Sequence, residues 1–490
     1  MSNILINSEY PSTYTITRSI RSIIDEFKDI PDGEHLENKI ESLIGRITNY
    51  RPSGKIAFIT VLIDGTIFQV ALNKTFYKNQ DEYDIIFKKL KNGDIIGFTG
   101  FIAKTKKGQL SIFATELVIL TPFKSVLPHS HYGIDVDLQR SCRYLNWTVN
   151  SESQKIIRNR HKIKQLIRRS LDDLDFVEID VPILCNQAGG AIAKPFITHH
   201  NDLNQDMFLR IATEIPLKIA VIGGFHQVYC MGSQFRNESI DSTHNPEFET
   251  IEIYRVGWTL DDMMTYTEDL IRNLANKINN SYIISWHGKE VDLTKPFQKM
   301  EIMPTLELEI RKVTGNNDFV MPNPNIESAQ SEYQQLLNLL NIDCTVKTVS
   351  KMLDALIGHF LESQCDQPTF LVGHPSIMSS LAKENPDNNL IADRFELFIF
   401  QKEIANSYNE QNNPDKQKEN FERVQIEKKN GDDEIPPADY EFIEALKFGL
   451  PPTGGLGIGI DRLCMLLLLR GNDISIHDVI PFPTRKNVII

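Results

Sequence analysis

Residues 234–254 read QFRNESIDSTHNPEFETIEIY and bring Arg236, Glu238, His244, Phe248, Glu252 and Tyr254 into one short stretch. An arginine can hold phosphate or carboxylate, an aromatic ring can stack on a base, and carboxylates can accept amino groups. If 234–238 and 248–254 are the arms of a hairpin, period-2 alternation puts Arg236 and Glu238 on one face of the first arm. The same period puts Phe248, Glu252 and Tyr254 on one face of the second, with His244 and Asn245 in the loop between. Taken alone, an exposed hairpin with cross-strand ion pairs is the commoner use of such a pattern. Three further segments shift the weight toward a ligand site. RIATEIPLK (210–218), RFELFIFQKEIANSYNE (394–410) and PPTGGLGIGIDR (451–462) each set charge among apolar residues, and buried charge is costly unless partnered.

In the last of these, Gly455, Gly457 and Gly459 recur every second residue. This is a strand pattern and fails the dinucleotide G-x-G-x-x-G test. Such spacing leaves one strand face without side chains, so a flat ligand or a second backbone can come close. Asp461 and Arg462 follow at the start of an apolar helix, a good place for phosphate. No P-loop pattern occurs. His129-x-His131 and His199-His200 lack a matching set of ligands nearby and read as ordinary polar histidines.

These residues need elements to position them. KIAFITVLIDGTIFQVALN (55–73) alternates on both sides of Asp64-Gly65, a hairpin signal. GDIIGFTGFIAKTKKGQLSIFATELVIL (93–120) adds two or three strands around a basic turn at Lys104, Lys106 and Lys107. Five short strands over 38–121 fit a small barrel such as the OB-fold, whose face commonly binds single-stranded nucleic acid. A purely structural barrel fits the pattern equally. Residues 122–150 show no period and read as a linker. The stretch 153–174 predicts a helix with Ile156, Ile157, Ile163, Leu166 and Ile167 on its apolar side. Its other side carries Arg158, Arg160, Lys162, Lys164, Arg168 and Arg169, most simply facing solvent. FVEIDVPIL (176–184) predicts a strand. The remainder mixes strands and helices without a βαβ rhythm, which favours an antiparallel sheet with flanking helices. Segment 410–434 reads as an exposed helix and loop.

At 490 residues with 41% hydrophobic and 24% charged residues, the chain is long enough for two or more cores and has a soluble composition. No apolar run is long enough to span a membrane, and the N-terminus lacks a signal or import pattern. Six singly scattered cysteines point to reduced thiols in the cytoplasm. A net charge of −13 argues against nonspecific coating of nucleic acid and suits a pocket for a cationic substrate.

FRNE…HNPEF resembles motif 2 of the class II aminoacyl-tRNA synthetases, GLGIGIDR their motif 3 and FVEIDVP their motif 1. More narrowly, GGAIAKPFITHHNDL, RIATE, THNPEFETIEIY, HPSIMSSLAK and KEIANSYNEQNNP look like lysyl-tRNA synthetases of the cytoplasmic eukaryotic type. The resemblance implies an α+β protein: an N-terminal OB-fold β-barrel that binds the anticodon (1–125), a linker (126–150), and a class II catalytic domain (151–490) with an antiparallel sheet flanked by helices. It implies ATP as substrate, Mg²⁺ as cofactor, L-lysine and tRNA(Lys) as partners, and a cytoplasmic homodimer away from membranes.

By the same resemblance, Arg236 and Arg462 are the catalytic cations. Arg236, Glu238, His244, Asn245, Phe248 and Arg462 bind ATP, and Glu396 and Glu403 hold magnesium on its phosphates. Gly190, Glu214 and Asn406 lie at the α-amino and carboxylate end of lysine. Glu252, Tyr254 and Glu410 line its side chain, with Tyr254 and Glu410 meeting the ε-ammonium. Phe58, Gln69 and Glu116 read the anticodon. The chain departs from the family pattern at Cys230, Ser233, Ser239, Gln411 and the eroded QRSCRYLN (139–146), and it lacks the Lys-rich N-terminal extension. The eroded segment raises the alternative of a catalytically silent tRNA-binding or signalling paralogue, although no residue of the proposed site is missing. A sibling enzyme for aspartate or asparagine conflicts with the Glu252/Glu410 pair.

Overall fold

Asp64 and Gly65 both adopt positive φ, 49° and 76°, as a type I′ turn requires, and they join strands Ile56–Ile63 and Thr66–Asn73 into the expected hairpin. The structure is a computed structural model that describes residues 10–126, 134–470 and 474–484. It divides into two units, with the boundary between Lys155 and Ile156.

In the first unit β1 (His35–Ser53), β2 (Ile56–Ile63), β3 (Thr66–Asn73), β4 (Ile95–Lys104) and β5 (Leu110–Thr121) close into a barrel, order β1-β2-β3-β5-β4. Alternation sends Ala57, Ile59 and Val61 inward with Val70, Phe98 and Ile112, and turns Phe58 outward. A helix over Ile20–Phe27 packs Ile20, Ile23 and Phe27 on the same core. The expected basic turn is partly structural: the Lys104 ammonium donates to the carbonyls of Lys28 and Ile30 at 3.2 and 3.0 Å. Within 122–150 the structure holds two short helices, Val136–Ser141 and Arg143–Val149. Helices of six and seven residues are too short to show an apolar period.

The strands of the second unit are β6 (Val177–Glu178), β7 (Leu184–Cys185), β8 (Ile197–His200), β9 (Gln205–Leu209), β10 (Gln227–Phe235), β11 (Glu247–Val256), β12 (Ile283–Trp286), β13 (Lys289–Asp292), β14 (Gln298–Glu301), β15 (Thr369–Val372), β16 (Arg394–Ile399), β17 (Lys402–Asn409) and β18 (Thr453–Gly459). Eight of them form one sheet, β14-β15-β16-β17-β18-β11-β10-β6. Its middle is the expected antiparallel sheet, and a parallel strand is added at each edge, β14 beside β15 and β6 beside β10. The strand expected over 176–184 shrinks to the two-residue β6 and β7 on either side of Pro182, which cannot donate to a ladder.

One face of the sheet carries the main core, where helices Ser151–Asp172, Leu260–Asn279 and Ile460–Leu468 bury Ile163, Ile167, Met263, Ile271 and Leu463 against Ile251 and Leu456. The basic side of the first helix is not simply solvated. Arg160 is buried, donating to Asp461 and, at 2.7 Å, to Glu249 Oε2; Lys164 also reaches Glu249, and Arg168 pairs with Glu178 at 2.9 Å. Asp461 Oδ2 accepts the Glu249 N–H at 2.7 Å, so one ion-pair network pins the helix Ser151–Asp172, β11 and the helix Ile460–Leu468 together. Charge counted on a helical wheel could not reveal partners nearly a hundred and three hundred residues away. Segment 410–434 contains the helix Pro414–Lys429. No described helix is long and apolar enough to cross a membrane.

Candidate active site

A cavity of about 570 Å³ lies on the other face of the sheet, over β11, β18, β17 and β16. Gly455, Gly457 and Gly459 form part of its wall on β18 and leave that strand face bare, as their spacing implied. Phe248, Glu252 and Tyr254 line the cavity from β11, and Asn406 and Tyr408 from β17. Gly190, Glu214, Arg236, Glu238, His244, Asn245, Glu396, Glu403 and Arg462 complete the predicted residues around it.

At one end the groups are cationic. β10 stops at Phe235, so Arg236 and Glu238 lie in the loop beyond the strand, not on a hairpin arm. The loop folds back at once, the Arg236 N–H donating to the Pro246 carbonyl at 2.9 Å. This places the Arg236 guanidinium 5.0 Å from the Phe248 ring centroid. Its buried Nε has no hydrogen-bond partner among the described residues, and burial pulls its pKa down. A desolvated guanidinium so poorly paired is a strong site for an anion. Glu238 is exposed at the rim. Asp241 caps its own turn, accepting from Thr243 and from His244 Nδ1 at 2.8 Å; despite some burial, these bonds hold it down at about 2. His244 Nε2 in turn lies 3.1 Å from the Arg462 guanidinium, which donates to Glu403 Oε2 at 3.2 Å. The Asn245 amide is engaged by the loop itself, donating to the Glu247 carbonyl at 2.5 Å and accepting from the Thr484 N–H at 3.2 Å.

Glu396 and Glu403 reach the cavity from the hairpin β16–β17. A bulge beside Phe398 inserts one extra residue in β17, which brings Glu403 and Asn406, three positions apart, to the same cavity. Burial would raise Glu396, but the Arg394 guanidinium at 2.5 Å and His374 at 3.3 Å hold it down at about 2. Glu403 is pushed up by burial and by the charge of Glu396.

At the other end the groups are acidic. Gly190 has φ +87°, and a Cβ there would come within 3.0 Å of Glu214, so glycine alone lets this loop approach. The Tyr408 hydroxyl donates to Glu214 Oε2 at 2.5 Å. Glu252 accepts the Thr213 N–H at 3.1 Å and the Tyr254 hydroxyl at 3.4 Å. Burial first, and the charge of Glu214, push Glu252 up to about 7 although the Thr213 bond opposes them. Glu410 is brought to the same end but is 1% exposed and does not line the cavity. A side chain at Gly455 would collide with its carboxylate and with the Tyr254 ring, and one of its oxygens contacts the Lys218 ammonium.

A family model described as tRNA synthetases class II (D, K and N) matches residues 135–486, about seven-tenths of the chain, and one described as an OB-fold nucleic acid binding domain matches 42–120. The chain belongs to the class II tRNA synthetases. Within this family it is similar to proteins named lysine–tRNA ligase. One, cla4 of Cladosporium cladosporioides, is 38% identical over 98% of this chain and 81% of its own. Another, from Streptococcus pyogenes serotype M5 (strain Manfredo), is 41% identical over 92% and 88%. A third, from Streptococcus pneumoniae (strain CGSP14), is 39% identical over 96% and 92%.

Within this synthetase, three side chains escaped sequence reasoning, two at the cavity and one, Lys218, behind its wall. Lys218 stands four residues after Glu214, a spacing that could have flagged a helical pair. Tyr408 shares the strand face of Asn406 by alternation, and Arg394 opens the charged run 394–410. His199 pairs with Asp206 at 2.8 Å and the His200 ring accepts the Leu203 N–H, ordinary polar roles; His129 and His131 lie outside the described residues. Cys230 is buried in β10 opposite Glu252, and the Ser233 carbonyl accepts from Arg210. In the barrel Phe58 is half-buried on a cluster of Ala71, Phe101 and Phe113. Gln69 faces outward and donates to Ser111 Oγ at 2.9 Å, and exposed Glu116 pairs with Lys78.

Proposed function

We propose that this synthetase is an active lysine–tRNA ligase. It activates L-lysine with ATP to lysyl-adenylate, releasing pyrophosphate, and transfers the lysyl group from the adenylate to a ribose hydroxyl at the 3′ end of tRNA(Lys), releasing AMP. The observation that carries the reading is a single cavity with Arg236, His244 and Arg462 at one end and Glu214 and Glu252 at the other, with Glu410 just behind. An anionic polyphosphate suits the first end and a substrate with two ammonium groups the second.

In the first step a lysine carboxylate oxygen attacks the α-phosphorus of ATP. The new P–O bond forms in line as the bond to the β-phosphate oxygen breaks, and pyrophosphate leaves with that electron pair. The attacking carboxylate is already ionised, so no general base is needed, and catalysis is positioning plus cationic stabilisation. Arg236 takes the α-phosphate and the lysine carboxylate. Phe248 supports the adenine, Glu238 meets its amino group, and His244 and Arg462 take the γ-phosphate. Asn245 acts by holding the loop. Glu396 and Glu403 are hard oxygen donors suited to Mg²⁺ when phosphate oxygens complete its shell, and the ion would neutralise the phosphates. Gly190, Glu214 and Asn406 hold the α-amino end, and Glu252 and Tyr254 take the side chain, with Glu410 supporting them.

The outer face at Phe58, Gln69 and Glu116 suits the anticodon, with 1–125 as the anticodon-binding domain, 126–150 as the linker and 151–490 as the catalytic domain. A cytoplasmic homodimer completes the reading. ATP–pyrophosphate exchange against the twenty standard amino acids tests it. Exchange should depend on lysine, and dependence on any other amino acid would overturn the substrate assignment.

A further inference from the structure

Lys218 is completely buried on the helix Glu214–Ile222 and does not line the cavity. Its ammonium lies 2.5 Å from Glu214 Oε1 and also contacts Glu410 Oε2. The rings of Tyr408 and Phe442 stand 5.7 and 5.6 Å away. The ionisable groups facing this spot come from three elements: Glu214 on the same helix, Tyr254 and Glu252 on β11, and Tyr408 and Glu410 at the end of β17. Burial alone would strip the proton from such a lysine. The fields and hydrogen bonds of Glu214 and Glu410 outweigh it and keep Lys218 charged, while burial, with Glu214 and Glu252 nearby, pushes Glu410 up against the pull of Lys218.

A fully buried ammonium beside a pocket for another ammonium is an unexpected expense unless it does something for that pocket. Formal charge suggests what. Glu214, Glu252 and Glu410 carry three negative charges when ionised, and Lys218 cancels one, leaving two. A lysine substrate brings two ammonium groups, while its carboxylate is answered by Arg236. We infer that Lys218 is a specificity-setting positioning residue: acting through Glu214 and Glu410, it makes three converging carboxylates present the two negative charges that a diammonium substrate neutralises. The inference rests on the lysine reading above and deepens it.

Charge balance and a plain i,i+4 bridge make different predictions. Glu410→Gln leaves one net negative charge and underfills the substrate's needs. Lys218→Met leaves three crowded carboxylates, which share a proton that lysine must displace. The double variant Lys218→Met/Glu410→Gln returns to two.

The experiment is lysine-dependent ATP–pyrophosphate exchange on the full chain from pH 6 to 9 for the wild type, both single variants and the double variant. Each single change should raise the lysine KM about tenfold or more, with the ATP KM nearly unchanged. In Lys218→Met the acidic limb of the lysine KM profile should move up by about one pH unit, as like charges raise carboxylate pKa values. The double variant should bring both the KM and the limb back toward the wild type. A double variant no better than Glu410→Gln overturns the inference. So does a Lys218→Met protein that only melts earlier while its lysine KM and pH profile stay unchanged. If Lys218→Met does not fold, the comparison of Glu410→Gln with the double variant decides alone. Failure of the lysine reading itself would look different, as wild-type exchange that ignores lysine.

Discussion

In the proposed reading, Glu252 is the residue on which amino-acid recognition turns. It is buried in the cavity wall, with the Thr213 N–H and the Tyr254 hydroxyl as hydrogen-bond donors, and its carboxyl is pushed up to about 7 by burial and then by Glu214. Relative to an ordinary carboxyl at 4.5, that shift corresponds to about 3 kcal/mol disfavouring the charged form in the empty pocket. The sign follows from linkage. The raised folded-state value adds stability that is fully present below the unfolded value of 4.5 and is lost as pH rises through about 7. In the proposed reading lysine would supply the missing countercharge, so its binding should strengthen over the upper part of the same window. The lysine KM should fall from pH 6 to 8, and the rise in Tm on adding lysine should be larger at pH 8 than at pH 6. Glu252→Gln should flatten that profile and raise the lysine KM by about a hundredfold, as expected for truncating a buried charge partner. Steady-state exchange kinetics and thermal melts across this range check both; a pH-independent wild-type KM would contradict the role.

At the scale of elements, the barrel strands β2 and β3 place Phe58 and Gln69 on their outer face, while Ile59, Val61, Phe68 and Val70 fill the interior. If Phe58 stacks on an anticodon base, Phe58→Ala removes about 1–3 kcal/mol of tRNA binding. tRNA charging should then weaken while lysine-dependent exchange is spared; equal loss of both would count against the separate roles. The Asp64-Gly65 hairpin was legible because turn chemistry and alternation are local. So were Glu214, Arg236, Glu252 and Arg462 at the cavity, since each lies in a short distinctive run, whereas Arg394 was not. Other features depended on contacts that no local pattern encodes. Arg160 looked like a solvated helix face until Asp461 and Glu249 appeared beside it. Arg236 seemed to belong on a strand arm, but β10 ends one residue earlier. The bulge in β17 re-phases Glu403 against Asn406, which strict alternation would set on opposite faces. Glu410 was expected against the substrate and lies instead behind the wall with Lys218, a partner visible only once the helix Glu214–Ile222 meets the end of β17.

For the whole molecule, assembly and choice of substrate carry the remaining predictions. The sheet of the second unit ends at the two-residue β6, and around that region Val177, Ile183, Leu184, Ile197 and Phe225 are exposed. Such apolar exposure suits an interface between copies of the chain. Sedimentation should give a dimer that Ile183→Asp/Leu184→Asp dissociates; a wild-type monomer at micromolar concentration would contradict it. In the proposed reading, substrate choice follows from the polarity of the cavity, with Arg236, His244 and Arg462 at one end and Glu214 and Glu252 at the other. Calorimetric titration of L-lysine and of L-norleucine, which has the same chain length without the ε-ammonium, tests this most directly at pH 8. Lysine should bind about a hundredfold or more tightly than norleucine, because the apolar analogue leaves buried carboxylates unanswered. Equal affinity for the two, or a preference for norleucine, would contradict an acidic end that selects its substrate by charge.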